Sequence, residues 1–167
     1  MRLLAIDPGN EKSAYVDYDT EKKSLNAFGI LPNEELLMKV YHGQDCEIMA
    51  MEMVASYGMA VGRHVFETCV WIGRFVQHWL DGTEQIRGEE APFRYVYRKD
   101  VKMHLCGMTK AKDSNIRQAI MDRYGSTKQK AQGTKKEPGP LYGVSKDVWA
   151  ALGVAITAAE TTGDNSE

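Results

Sequence analysis

The chain has 167 residues, of which 43% are hydrophobic, and a formal net charge of −2 at pH 7. This length and apolar content predict one folded domain with its own core and exclude a disordered chain. No apolar run reaches the ~20 residues of a membrane-spanning helix. The N-terminal apolar stretch ends at Ile6, which is too early for a secretion signal. We therefore expect a cytoplasmic protein without membrane contact.

The first third of the chain alternates short strands with turns. Pro8-Gly9 ends the first strand, a charged turn at 19–23 separates the second strand from the third, and Pro32 opens a helix. The predicted strands are Arg2–Asp7, Ser13–Tyr18, Ser24–Leu31 and Cys46–Val54, with a short helix from Pro32 to about Tyr41 before the fourth strand. That fourth strand reads CEIMAMEMV, which is typical of a buried strand and carries a carboxylate at Glu52.

The rest of the chain is mostly helical by pattern. Its predicted elements are a helix Ala60–Leu80 ending at Asp81-Gly82, a strand Arg94–Arg98, helices Asp100–Leu105 and Asp113–Tyr124, a mobile loop over Ser126–Tyr142 and a last helix from Ser145. The longest helix has an apolar stripe formed by Val61, Val65, Cys69, Ile72, Val76 and Trp79.

Five strands with helices between and after them predict a layered α/β domain. We assign residues 1–160 to a single domain and 161–167 to a polar C-terminal tail, because there is no internal repeat. Cys46, Cys69 and Cys106 include no CxxC pair, and the four histidines have no HxxxH spacing. Neither a disulfide framework nor a zinc site is expected.

The charge is distributed unevenly along the chain. From Arg94 to Lys146 there are 13 Lys and Arg residues against 4 Asp and Glu, a balance of +9, whereas the rest has 8 against 19, a balance of −11. A basic segment of this kind can neutralise nucleic-acid phosphates, and a solvated lysine-rich loop is the alternative. Charge by itself leaves both interpretations open.

Three carboxylates lie in positions that suit a metal site. Asp7 ends the first strand, Glu52 lies in an otherwise apolar strand, and Asp147 falls in the first turn of the last helix. Hard oxygen donors of this kind suit Mg²⁺ or Mn²⁺. Each residue also has a structural interpretation, as a turn former, an exposed strand end and a helix-start acid respectively. Their order and context together favour the metal site.

A family resemblance is carried by four segments: LLAIDPGN at 3–10, IMAMEMV at 48–54, VKMHLCGMTKAKDSNIRQAI at 101–120 and KDVWAALGVAI at 146–156. They resemble the first strand, fourth strand, basic segment and last helix of RuvC-type Holliday-junction resolvases (crossover junction endodeoxyribonucleases). The resemblance implies an RNase H-like fold, a five-stranded mixed sheet flanked by helices. GTKKEPGPLYGVSKDVW is most similar to the phage and prophage branch, which implies a location in the nucleoid or the cytoplasm of an infected host.

The same resemblance implies an activity and a set of site residues. It implies a homodimer that resolves four-way junctions by paired nicks in DNA recombination and repair. It also implies two Mg²⁺ ions per active site, with Mn²⁺ as a substitute, and no nucleotide cofactor. Asp7, Glu52 and Asp147 match the metal-binding, catalytic carboxylates of the family. The positions that match its DNA-contacting lysines are Lys102, Lys110 and Lys112.

Two features of the family are missing. Ala150 stands where bacterial members carry a second aspartate in the last helix, and Ala55 stands where they carry an aromatic wedge. Tyr57 is a candidate substitute for the wedge, because aromatic side chains stack on unpaired bases. Packing of Tyr57 against Gly58 is the alternative.

Several other residues have predicted roles. Glu67 is expected to form an ion pair with Arg63 four residues earlier rather than to bind metal. The surface of Trp71 and Phe75 is expected to face a partner subunit. Phosphate contact is favoured over simple solvation for the lysines of the 126–142 loop, which are Lys128, Lys130, Lys135 and Lys136.

Three alternatives to junction resolution are considered. A nuclease that debranches forks or flaps would use the same site and cannot be separated by sequence. A non-catalytic DNA-binding protein on the same fold is favoured by the missing acid at Ala150 and opposed by the three carboxylates that are present. An actin-like ATPase or sugar kinase also has Asp-Pro-Gly after its first strand, but it needs a second Asp-x-Gly turn and a Gly-rich adenosine loop, and neither is found.

Overall fold

The computed structural model describes residues 1–42, 45–89 and 91–161. Its elements are β1 (Arg2–Asp7), β2 (Lys12–Asp19), β3 (Ser24–Pro32), α1 (Asn33–His42), β4 (Ile48–Met53), α2 (Arg63–Arg87), β5 (Phe93–Tyr97), α3 (Arg98–Cys106), α4 (Asp113–Arg123), α5 (Lys128–Ala131) and α6 (Val148–Thr161). Of the predicted tail, Thr161 ends α6 and residues 162–167 lie outside the described residues. None of the described helices is long and apolar enough to cross a membrane.

The five strands form one mixed sheet in the order β3-β2-β1-β4-β5. β1, β2 and β3 pair antiparallel through short turns, whereas β1, β4 and β5 pair in parallel. Parallel neighbours need crossover connections, which α1 and α2 provide on the same face of the sheet. The predicted α/β fold with a five-stranded mixed sheet flanked by helices is confirmed.

Each face of the sheet has its own core. Leu3 and Ala5 of β1 lie on the face covered by α3, α4 and α6, whereas Leu4 and Ile6 lie on the face covered by α1 and α2. α6 is buried along most of its length and packs across the central strands. Because side chains alternate along a strand, Asp7 follows Leu3 and Ala5 onto the α6 face.

The predicted end of the long helix at Asp81-Gly82 is wrong. α2 continues and ends at Gly88, whose φ of 78° is a left-handed conformation that glycine adopts at low cost. The Thr83 hydroxyl donates to the Trp79 carbonyl at 2.9 Å and accepts the Ala91 N–H at 3.1 Å. The helix passes through the glycine because these buried contacts outweigh its low helix propensity.

The side of α2 that packs on the sheet differs from the predicted stripe. Its buried apolar side chains are Ile72, Phe75 and Trp79. Val61 and Cys69, which belong to the predicted stripe, are exposed. Phe75 has no exposed surface, so the prediction that it faces a partner subunit is wrong. Trp71 is half-buried, with the Arg74 guanidinium 4.0 Å from the centre of its ring.

The segment 126–142 is not the structureless loop that its composition predicts. It contains α5 and a turn closed by pairing of Gly133 with Pro138. Ala131 and Leu141 are fully buried, and the Leu141 N–H donates to the Ala131 carbonyl at 2.8 Å. Two apolar residues are too few to produce a period in the sequence, yet they anchor the segment to the core beneath α6.

Candidate functional site

The carboxyl ends of three parallel strands bring the candidate site together. Ile6 of β1 pairs with Met51 of β4, so Asp7 and Glu52 are the next residues on two neighbouring strands. Both belong to the α6 side of their strands by the alternation of side chains. β5 lies beside β4 in parallel, and Arg98 follows its last residue at the same edge.

A buried polar network holds the turn that follows Asp7. The Gly9 N–H donates to Ser13 Oγ at 3.0 Å, and Asn33 Nδ2 donates to the Gly9 carbonyl at 2.8 Å. Ser13 Oγ donates to Asn33 Oδ1 at 2.6 Å, and both residues are buried. A Cβ at position 9 would lie 2.3 Å from the Lys12 carbonyl oxygen, so the turn requires glycine. These contacts keep Asp7 at the end of β1.

Asp147 approaches the same edge from the start of α6. The helix begins at Val148 rather than near Ser145, because Lys146 adopts a φ of 49°, outside the helical region. Asp147 is therefore the residue before the helix, and its carbonyl accepts the Ala151 N–H at 3.1 Å. The predicted placement in the first helical turn is off by one residue.

Burial and like charges dominate the electrostatics of the site. Burial, followed by the negative charges of Glu52 and Asp147, raises the pKa of Asp7 from 3.8 to about 8, against the opposing effect of Arg98. Burial also raises the pKa of Glu52, again against Arg98. Acids that are removed from water and repel one another lack sufficient counter-charge. The site therefore favours a cation.

Arg98 is the basic side chain in contact with these acids. Its Nη1 donates to Glu52 Oε2 at 3.5 Å, and its Nη2 donates to Asp113 Oδ1 at 2.6 Å. Burial lowers the pKa of Arg98, but Glu52 and Asp113 outweigh burial and raise it overall. The guanidinium therefore stays charged between the end of β4 and the start of α4.

Two clefts open on this group of residues. The first is lined by Asp7 and Glu52, with Val65 and Thr68 of α2 on its other wall. The second is lined by Arg98, Asp113, Arg117, Lys146, Asp147, Trp149 and Ala150. Asp147 thus faces a different cleft from the other two acids. Within the described residues, no three His, Cys, Asp or Glu side chains lie close enough together to hold one metal ion.

Comparisons with known proteins identify the fold. No family model and no curated protein matches the sequence. The structure of Thermus thermophilus RuvC matches with a TM-score of 0.62 and 18% identity, over 96% of this chain and 95% of that one. The chain has the RuvC fold.

Two further solved structures share the RuvC fold with this chain. T. thermophilus RuvC in complex with Holliday junction substrate matches with a TM-score of 0.56 and 17% identity, over 96% of this chain and 94% of that one. The yeast mitochondrial Holliday junction resolvase Ydc2 matches with a TM-score of 0.59 and 10% identity, over 95% and 77%. The predicted RNase H-like architecture is confirmed by these likenesses.

In this RuvC fold, Tyr57 and Lys102 lie in a cleft that shares Arg98 with the candidate site. A third cleft is lined by Tyr57 and Lys102 together with Arg98, Lys99 and Thr109. Tyr57 is 64% exposed, so its ring does not pack into the core. The structure thus brings the candidate wedge and one predicted DNA-binding lysine to the same opening.

The other predicted lysines lie on α5 or on loops. Lys128 lines a groove with Arg117 and Lys146. Lys135 and Lys136 occupy the tip of the turn that follows α5. The remaining predicted lysines are also exposed, and they are Lys110, Lys112 and Lys130.

Sequence reasoning missed several residues of this site. They are Arg98, Asp113, Arg117 and Lys146. Arg98 had a usable signal, because it ends the predicted strand Arg94–Arg98 as Asp7 ends the first strand. Asp113 had none, since an acid at a helix start is common and needs no ligand.

Glu67 has the structural role that its spacing predicts. Arg63 Nε donates to Glu67 Oε1 at 2.6 Å, and Asn10 Nδ2 donates to Glu67 Oε2 at 3.3 Å. Both contacts lower the pKa of Glu67, with the Asn10 hydrogen bond first. Glu67 therefore secures the loop after β1 to α2 and offers a neighbouring acid for control experiments.

The raised pKa of Asp7 predicts an unusual dependence of stability on pH. The folded protein keeps Asp7 protonated up to about pH 8, whereas the unfolded chain loses that proton near pH 3.8. The folded state thus binds more protons between these values, and the contribution of Asp7 to the free energy of unfolding falls as pH rises through that window. Asp7→Asn removes the effect, so the metal-free variant is expected to be more stable than wild type at pH 8, by on the order of 2 kcal/mol.

Urea denaturation in EDTA at pH 5 and pH 8 measures this difference. The free energy of unfolding of Asp7→Asn should exceed that of wild type by a small amount at pH 5 and by a larger amount at pH 8. Saturating Mn²⁺ should reduce it by stabilising wild type selectively. An advantage of equal size at both pH values would contradict the assignment of the shifted proton to Asp7.

Proposed function

We propose that this protein is a metal-dependent endonuclease that cuts branched DNA, with four-way junctions as its main substrate. The observation that carries the proposal is that Asp7 and Glu52 directly follow the paired residues Ile6 and Met51 at the edge of a RuvC-fold sheet, with Asp147 near enough to raise the pKa of Asp7. The solved RuvC complex with Holliday junction substrate supports the choice of DNA.

The donor set fits Mg²⁺, with Mn²⁺ as a substitute. Asp7, Glu52 and Asp147 supply hard oxygen donors, and burial, followed by the negative charges of Glu52 and Asp147, raises the pKa of Asp7. In the proposal Asp7 and Glu52, which line one cleft, would hold one ion, and Asp147, which lines the neighbouring cleft, would contribute to a second. A bound divalent metal lowers the pKa of water and offsets the charge on the leaving oxygen in phosphodiester hydrolysis.

The protein's own side chains position the DNA backbone. The Ser13–Asn33 network holds Asp7 in place, while Arg117 and Lys146 line the cleft beside Asp147. Arg117 and Lys146 form a basic surface, and the exposed lysines on α5 and on the turn after it extend that surface away from the acids. Such contacts neutralise phosphates without reading sequence, so they suit recognition of DNA shape.

Tyr57 is proposed to stack on an unpaired base at the branch point. Its exposed ring lies in a cleft shared with Lys102, so a base and its phosphate have partners within the same opening. A 2-aminopurine at the branch should fluoresce less when wild type binds than when Tyr57→Ala binds. Equal fluorescence in the two complexes would rule out stacking.

A homodimer is part of the proposal, through a surface other than the predicted one. Phe66 and Val70 are 62% and 63% exposed and lie four residues apart on α2, so they form one apolar face. Sedimentation velocity should find wild type as a dimer and Phe66→Glu as a monomer. A wild-type monomer at micromolar concentration would contradict the dimer.

Cleavage of end-labelled synthetic DNA tests the proposed function. Four-way junctions, forks, flaps and plain duplex are incubated with the wild-type protein in Mg²⁺, in Mn²⁺ and in EDTA. Paired, symmetric nicks in the junction that require metal are expected. Cutting spread over forks and flaps would favour a debranching nuclease, and tight binding without cutting in either metal would favour a non-catalytic DNA-binding protein.

Neutralising the turn lysines tests the basic surface separately from the acids. Lys135→Ala with Lys136→Ala should weaken junction binding and reduce the slope of log K against log salt by about one for each phosphate that is no longer neutralised. Fluorescence anisotropy in EDTA at several salt concentrations measures the slope. Lys22→Ala with Lys23→Ala, an exposed pair in the turn between β2 and β3, is the charge-matched control. An unchanged slope in the first variant would show that its lysines are merely solvated.

A further inference from the structure

Arg98 occupies a position that the proposed metal chemistry does not explain. It follows β5 at the edge where β1 and β4 also end, and its guanidinium reaches from Glu52 to Asp113. The side chain is 27% exposed, whereas Asp113 is 76% exposed. About a quarter of the Arg98 side chain therefore stays accessible at the edge of the sheet where the acids lie.

The same guanidinium forms a wall shared by two clefts. On one side it lines the cleft of Asp113 and Asp147, and on the other it lines the cleft of Tyr57 and Lys102. A DNA strand that passes from the basic groove of Arg117, Lys128 and Lys146 to Tyr57 therefore crosses Arg98. The crossing point lies next to Glu52, at the carboxylate edge.

A phosphodiester at this crossing point needs a cationic partner. It would approach Glu52, Asp113 and Asp147, whose carboxylates repel its negative charge. Among the ion pairs of the described residues, those of Glu52 and Asp113 are both formed with Arg98. Arginine offers five N–H donors in a planar fork that matches phosphate oxygens, and its two carboxylate contacts leave donors available.

We propose that Arg98 binds the phosphate group at the cleavage position and that Asp113 orients its guanidinium for this contact. The inference rests on the proposed function and adds to it a phosphate-binding residue and a positioning residue. Asp113 fixes one edge of the guanidinium through the contact at 2.6 Å, and the same arginine side chain lines both clefts. This role requires no change in the protonation of any group.

Neutral phosphates test the contact without metal. A set of four-way junctions is prepared, each with one methylphosphonate near the branch, and the dissociation constants are measured in EDTA. Wild type should bind about tenfold more weakly when one particular position is neutral. Arg98→Gln should bind the unmodified junction about tenfold more weakly and show no further weakening at that position. Arg98→Lys should still bind more weakly when that phosphate is neutral, but by a smaller factor than wild type.

Asp113→Asn tests the orienting role in a variant that keeps Arg98 and changes an exposed residue. A methylphosphonate at the position that weakens wild-type binding should weaken the binding of Asp113→Asn by a smaller factor. Arg74→Gln, which breaks an arginine–carboxylate pair with Glu34 at 3.2 Å on the other face of the sheet, is the control and should be as sensitive as wild type. Circular dichroism confirms that every variant is folded.

The outcomes separate this inference from the proposed function. If wild type cuts junctions in Mg²⁺ but Arg98→Gln is as sensitive to each neutral phosphate as wild type, the phosphate contact is overturned and the nuclease stands. If Asp113→Asn matches wild type, the orienting role alone is overturned. If wild type does not bind branched DNA, both proposals fail together.

Discussion

Asp7→Asn is expected to lower the single-turnover rate of junction cleavage in Mg²⁺ by on the order of 10³-fold, about 4 kcal/mol of transition-state stabilisation. Asparagine keeps the size of the side chain but removes the negative charge that is proposed to hold the metal. Glu52→Gln should have a similar effect, because the two residues lie side by side on β1 and β4. Quenched reactions with excess protein over labelled junction measure the rate.

Glu67→Gln is the matched control for these variants. Glu67 is an acid near the same edge, but Arg63 and Asn10 satisfy it, so its variant should cleave within about threefold of wild type. Junction affinity in EDTA at neutral pH should be unchanged in Asp7→Asn, because metal-free Asp7 is itself protonated below about pH 8 and carries no negative charge that the variant removes. Cleavage by Asp7→Asn within about tenfold of wild type would remove Asp7 from the metal site.

Trp79→Ala is expected to lower the free energy of unfolding by about 3–5 kcal/mol, a large share of the stability of a small domain. The indole is completely buried between α2 and the sheet, and its Nε1 donates to the Ala91 carbonyl at 3.0 Å. Truncation therefore leaves a cavity and an acceptor without its partner. Urea denaturation followed by circular dichroism measures the change.

Phe66→Ala serves as the comparison for Trp79→Ala. Phe66 is an aromatic residue of the same helix but is 62% exposed, so its truncation should change the free energy of unfolding by less than about 0.5 kcal/mol when measured at low protein concentration. A decrease of less than about 1 kcal/mol in Trp79→Ala would mean that α2 does not pack on the sheet through this residue.

Local sequence patterns by themselves determined the strands and the order of the acids. The strand Arg2–Asp7 is predicted to the residue, since an apolar run that meets Pro8-Gly9 has one place to end. The position of Glu52 in a buried strand is also readable, because a carboxylate among apolar residues is conspicuous. The resemblance of four short segments was sufficient to predict the RNase H-like fold, which the solved RuvC structures support.

The tertiary structure decided features that depend on contacts between distant residues. α2 continues through Gly82 because the Thr83 contacts hold it, and the segment around Ala131 is built because that residue and Leu141 reach the core. The contact between Arg98 and Asp113 joins the first residues of α3 and α4, which lie 15 positions apart in the sequence. Local propensity cannot predict such pairings, because their free energy comes from burial and charge that exist only after the sheet and helices have packed.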